Sequence, residues 1–171
     1  MRPVRVQWWR DGRDGFLEES LNRRIQLYLL DRGGAVLQLA DVRLEDAGVY
    51  YCRVTHNVAG NGTGTNLVVF VPPTPLKLVK LAEDGSAFPL TLLCTTAAFS
   101  PDNLNITWYK NDSEIATGVE HVKLQNAIGL YEVSSNLTET EPVQSGTVYT
   151  CQVSHISLRT PANVSYTFNK L

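Results

Sequence analysis

The side chains here that could do covalent or metal chemistry are three cysteines, Cys52, Cys94 and Cys151, and three histidines, His56, His121 and His155. Two of each share one spacing, Cys52-x-x-x-His56 and Cys151-x-x-x-His155, and thiolate and imidazole are common zinc ligands. Each pair is at most half of a structural site, which takes four ligands. Nucleophilic catalysis needs a serine or cysteine beside a base and an orienting group. No serine has a glycine-elbow context, and three scattered histidines form no recognisable triad. Basic residues do not gather into a stripe interleaved with aromatics, as nucleic-acid binding would require. The formal charge of −2 gives no general attraction to nucleic acid or anionic lipid. One chemistry is well represented, the acceptance of sugar at Asn-x-Ser/Thr. Five such sites occur, at Asn61, Asn105, Asn111, Asn136 and Asn163, and they point to an extracellular setting.

The elements that must position these residues recur. Val49-Tyr50-Tyr51-Cys52-Arg53-Val54-Thr55-His56 returns as Val148-Tyr149-Thr150-Cys151-Gln152-Val153-Ser154-His155, with Trp8-Trp9 and Trp108-Tyr109 upstream. The period is about one hundred residues, which means two similar domains rather than a short-unit solenoid. Side chains two apart lie on one face of a strand. Tyr149, Cys151 and Val153 therefore share a face, and Trp8, Tyr50, Trp108 and Tyr149 are expected in the core of β-sandwiches.

Cys94 lies fourteen residues before Trp108, which completes a Cys…Trp…Tyr-x-Cys order, and here the chain resembles the immunoglobulin superfamily. Tyr149-x-Cys151-x-Val153-x-His155 is similar to the constant-type C1 signature. Asp46-Ala47-Gly48-Val49-Tyr50-Tyr51-Cys52 is similar to the end of a variable-type V domain, and Gly62-Thr63-Gly64-Thr65 to the joining pattern that follows it. At a finer level, Phe99 to Lys110 and Cys151 to Leu158 resemble signal-regulatory proteins. Asp41-Val42-Arg43, Tyr51 to Val54 and Gly60 to Thr65 resemble the NKp30-type natural cytotoxicity receptor.

The resemblance implies an all-β fold of two tandem immunoglobulin-like sandwiches: a V-type domain over residues 1–71, a proline-rich linker at 72–75 and a C1-type domain over 76–171. It implies a Cys94–Cys151 disulfide, whose loop closure is worth roughly 4 kcal/mol. Cys151 is then no zinc ligand, so neither a metal nor a cofactor is expected. Cys52 is left unpaired. Trp8 has seven residues before it, too few for a partner cysteine at the spacing of the second domain. The V domain is accordingly expected to start at its third strand, without strands A and B, through a truncated gene reading, an alternative start or excision of an ectodomain.

In chain order, strands are expected over residues 4–10, near Phe16, over 24–30, 36–39 and up to Thr55, and over 64–71. Leu37, Leu39 and Val42 are expected to point inward. Arg24 and Asp46 stand where V domains place a structural ion pair, and Tyr50 where they place a tyrosine corner. In the second domain, strands are expected over 77–81, 88–96, 105–110, 121–124, 130–138, 147–154 and 164–169. Asn105 and Asn136 have outward parity, so a sugar is tolerated at either.

Recognition by surface remains. Gln7, Trp9, Tyr51 and Arg53 have outward parity on neighbouring strands, and Trp, Tyr and Arg are the residues that carry interface energy. The loop containing His56, Asn57 and Asn61 is a second candidate, with Asn61 placed to obstruct or select a partner. The expected function is non-enzymatic. The chain reads as an immune receptor ectodomain, at the cell surface or secreted, whose V domain binds a protein ligand while the C1 domain is a spacer. The alternative is an antigen-receptor-like or structural partner chain that pairs through the same V face.

Overall fold

The structure is a computed structural model that describes residues 3–56, 58–81 and 89–170. The described residues are all-β apart from one short 3-10 turn, and all the strand pairings are antiparallel. The chain divides into two compact units, Met1–Val69 and Phe70–Leu171.

In the first unit, β1 (Arg5–Arg10), β2 (Ile25–Leu29) and β3 (Ala35–Leu39) precede a 3-10 turn at Leu44–Asp46. Then come β4 (Gly48–Thr55), β5 (Ala59–Asn61) and β6 (Thr65–Leu67). The longest strand, β4, is central, with β1 on one edge and β5 and β6 on the other, while β2 and β3 pair with each other. Residues 16–20 are not a strand, although the Leu17 amide donates to the Trp8 carbonyl at 2.7 Å. Of the strand expected over 64–71 only β6 is formed, and β5 lies in the stretch around Asn61 expected to be a loop; between them the Gly62 amide turns in to the Cys52 carbonyl at 2.8 Å and Gly64 adopts φ +94°. Val42 is exposed rather than inward, since Asp41 at φ +48° turns the chain just before it. Trp8, expected in the core, is only half-buried. Val6 and Trp8 line a shallow groove with Leu27 and Leu29, and among the described residues no further strand closes over it. Among the described residues of this unit, Tyr50 and Asp46 are the buried ones, each at 7% exposure.

Those two residues lock the turn. The Tyr50 hydroxyl donates to the Asp46 carbonyl at 2.6 Å, the Arg43 amide donates to the Asp46 carboxylate at 2.7 Å, and the Arg24 guanidinium pairs with the same carboxylate. Burial alone would raise the Asp46 pKa; the Arg24 hydrogen bond and the Arg43 amide outweigh it and hold the carboxyl below its ordinary value. A depressed carboxylate contributes stability above the unfolded-state value of about 3.9 and loses it as pH falls through the folded value. In acid titrations of the chain, Asp46→Asn should lower the melting temperature at neutral pH and flatten the decline below about pH 4.

The second unit contains β7 (Lys77–Leu81), β8 (Leu90–Phe99), β9 (Leu104–Lys110), β10 (Ser113–Ile115), β11 (Val119–Gln125), β12 (Tyr131–Glu139), β13 (Val148–His155) and β14 (Ala162–Thr167). They form two four-stranded sheets, in the orders β11-β12-β8-β7 and β10-β9-β13-β14. The short β10 is additional to the seven strands expected. Alternation with a period of two puts Leu90, Leu92 and Cys94 of β8 inward, facing Tyr149, Cys151 and Val153 of β13, and the Cys94–Cys151 disulfide joins the sheets. Trp108, opposite Cys151 in the β9–β13 register, is buried, and its indole Nε1 donates to Ser135 Oγ on the facing sheet at 2.8 Å. Lys110 forms an ion pair with Glu139 at 2.9 Å, with its Nζ 5.7 Å from the centre of the Tyr149 ring.

His155 ends β13 in the interior. Its Nε2 donates to the Pro101 carbonyl at 2.9 Å, while Nδ1 faces the Ser157 hydroxyl at 2.6 Å and the Ser157 amide at 3.3 Å. The ring therefore ties the end of one strand to the turn after β8. Residues 72–75 are held within this unit: Val71 exchanges two backbone hydrogen bonds with Ser100, and the Thr74 amide donates to Ala97 at 3.0 Å.

Candidate binding surface

Antiparallel register aligns the candidate face row by row. Arg5 lies opposite Thr55, Gln7 opposite Arg53 and Trp9 opposite Tyr51. Directly opposed residues share a face, so these side chains project from the same side of the β1–β4 sheet. The rings of Trp9 and Tyr51 stack at 5.5 Å between centroids with planes 19° apart, and Phe16 meets Trp9 edge-on at 6.3 Å. Phe16 is 56% exposed, so it extends the aromatic surface rather than sealing it. The turn between Asp11 and Gly15 brings the ring back over Trp9, with the Asp11 amide bonded to the Val49 carbonyl at 2.8 Å.

Gly64 makes room for the stack. A Cβ at this position would lie 2.6 Å from the Tyr51 ring and 3.0 Å from Val49, and its φ of +94° disfavours any L side chain. Gly64→Ala should destabilise the first unit by about 1–3 kcal/mol and displace Tyr51, measurable as a lower melting temperature with altered near-ultraviolet dichroism.

Arg5 and Arg53 flank the aromatics, and among the described residues neither has an ion-pair partner. The face is thus aromatic at one end and cationic at the other. Asn61 lies opposite Arg53 across β5, in the same row as Gln7 and Arg53. A sugar at Asn61 would stand on this face, not beside it. His56 follows β4 in an exposed bend and makes no part of the stack, and Asn57 lies outside the described residues. Cys52 is a free thiol, half-buried opposite Trp8. Among the described residues no cluster of three or more His, Cys, Asp or Glu is placed to hold a metal. Of the other asparagines in Asn-x-Ser/Thr patterns, Asn105, Asn111 and Asn163 are exposed and Asn136 is half-buried. Asn111 also accepts the Val148 amide at 2.9 Å through Oδ1.

Residues 78–158 match the immunoglobulin C1-set domain family. This chain belongs to the immunoglobulin superfamily. Superfamily members that it resembles include proteins with immune roles in their names. It is 30% identical over 136 residues to human tapasin-related protein, which takes in 77% of the chain and 28% of that relative. It is 32% identical over 152 residues to human natural cytotoxicity triggering receptor 3 ligand 1, covering 81% of the chain and 32% of the relative. The mouse class II histocompatibility antigen E-D beta chain is 40% identical over 76 residues, 44% of the chain. The chain spans about three-tenths of the length of the tapasin-related proteins that it matches. The second of these superfamily relatives is by name a ligand of a cytotoxicity receptor, whereas the sequence motifs suggested the receptor itself.

Proposed function

We propose that the chain is an extracellular recognition module of the immune system, displayed at a cell surface or secreted, that binds a protein partner through the Trp9–Tyr51–Phe16 face of the first unit. The second unit acts as a spacer that carries this face away from its attachment. The exposed aromatic stack is the observation that carries the reading. A rigid, amphipathic surface of Trp and Tyr flanked by unpaired Arg is the composition of an interface centre, and it has no acid, base or nucleophile arranged for turnover. The relatives support a binding role in immunity, one of them being by name a receptor ligand. Arg5 and Arg53 favour a partner with carboxylates at the matching rim, which would speed association and make it sensitive to salt.

Fluorescent multimers of the secreted chain, applied to a panel of immune cells, provide the test. Trp9→Ala should weaken binding by about 2 kcal/mol or more, roughly thirtyfold, and Arg53→Glu should weaken it with a change in salt dependence. Asn61→Gln should strengthen or broaden binding if the sugar at that position screens the face. Staining by the Trp9 and Arg53 variants equal to that of the unmodified chain would refute the assignment.

A pairing role through the same face is the second reading; one relative, similar over 44% of the chain, is by name a beta chain. Sedimentation at micromolar concentration separates the two: a monomer fits the receptor or ligand reading, an obligate dimer the paired chain.

A further inference from the structure

The outer face of the β11-β12-β8-β7 sheet is built in rows. One row is Val79–Leu93–Asn136–Glu120, and the next is Lys77–Thr95–Ser134–Val122. Asn136 is therefore at the centre of this face, on an interior strand, with apolar neighbours on the β8 side. Its Oδ1 is buried and has no hydrogen-bond partner. One row away runs a shallow groove of about 340 Å³, lined by Lys77, Thr95, Ser134, Glu132, Val122 and Leu124. Val122 and Leu124 are 53% and 56% exposed, and Val79 is 48% exposed. Exposed apolar side chains gathered on one sheet face mark a surface that something covers.

One row from this groove lies the asparagine of the Asn136-Leu137-Thr138 sequon. A carbohydrate fits what surrounds it. The C–H faces of sugar rings suit Val122 and Leu124, and their hydroxyls suit the Lys77, Thr95, Ser134 and Glu132 side chains. Two residues along β12 separate Asn136 from Ser134, about 7 Å at the rise of an extended strand. That is within reach of the first sugars of a chain rooted at Asn136. We propose that Asn136 carries an N-linked glycan and that the groove is its bed, the sugar lying over Val122 and Leu124 and closing this face to other protein surfaces.

The attachment is ordinary group transfer. Nδ2 of Asn136 attacks the anomeric carbon of a lipid-pyrophosphate-linked oligosaccharide. The C–N bond forms as the sugar–oxygen bond to phosphate breaks; the lipid pyrophosphate leaves with the electron pair, and Nδ2 gives up one proton. The product keeps Oδ1 as an acceptor and places the donors of the first sugar beside it. The proposal is independent of the aromatic face of the first unit.

Occupancy is read by translating the chain, behind a secretion signal, into endoplasmic-reticulum microsomes and counting glycans by gel mobility. Asn136→Gln and Thr138→Ala should each remove one glycan. Unchanged mobility in both overturns the proposal. This readout does not depend on either variant folding. The bed is read on the secreted, folded chain by the rate at which a peptide-N-glycosidase releases each sugar, followed position by position with peptide mass spectrometry. Release at Asn136 should be about tenfold slower than at exposed Asn163, as local protection predicts, and Val122→Ser with Leu124→Ser should abolish the difference. Equal rates at Asn136 and Asn163 in the unmodified chain overturn the seating.

Discussion

Replacing Cys94 and Cys151 with alanine lowers the unfolding free energy of the second unit by about 4 kcal/mol, the loop-closure entropy of a bridge across 57 residues. Both sulfurs are fully buried and join the two sheets across the middle of the core, so the alanine variant loses packed volume as well as the crosslink. Equilibrium denaturation in urea, monitored by tryptophan fluorescence, is the measurement. The midpoint should fall for the variant, and reduction of the unmodified chain with a thiol should reproduce most of that fall. A unit whose midpoint is indifferent to both treatments would show that the sheets are held by packing alone.

Trp108→Ala should cost the same unit about 3–5 kcal/mol, the range for removing a large buried aromatic. Two losses combine. The indole fills the space beside the disulfide at 1% exposure, and its Nε1 is the donor for Ser135 Oγ, which is itself fully buried. Without the indole, Ser135 faces a cavity with its hydroxyl unpaired, and an orphaned buried polar group adds about 1–3 kcal/mol. Trp108→Phe with Ser135→Ala isolates the packing part, because it removes donor and acceptor together. That pair should recover much of the stability lost by Trp108→Phe alone, and a thermal melt of the four combinations gives the coupling.

The two units respond to the same alternation in different ways. In the second, Leu90, Leu92, Cys94, Trp108, Tyr149, Cys151 and Val153 are all buried, and each is readable from a period of two. In the first, Val6 and Trp8 have the same parity relation, yet Trp8 is only half-buried. Parity states which face a side chain takes; burial depends on what lies across from that face. The split of β5 from β6 was likewise hidden, because the role of Gly64 is set by where the Tyr51 ring lies in space. The aromatic face was half legible. Opposed parity on two strands put Trp9 with Tyr51 and Gln7 with Arg53, since register follows once the strands pair. Phe16 and Asn61 join them through a turn and a third strand.

The amino-acid sequence alone determined the all-β character, the doubled period and the face that each strand turns inward, because backbone geometry converts side-chain alternation directly into two sides. Only the tertiary structure decided that Trp9, Tyr51 and Phe16 form one stack, that Asn61 stands on the same surface, and that a groove between Lys77 and Val122 lies one row from Asn136. Those are relations between residues far apart along the chain, and they exist only once strand pairing has brought the rows into register.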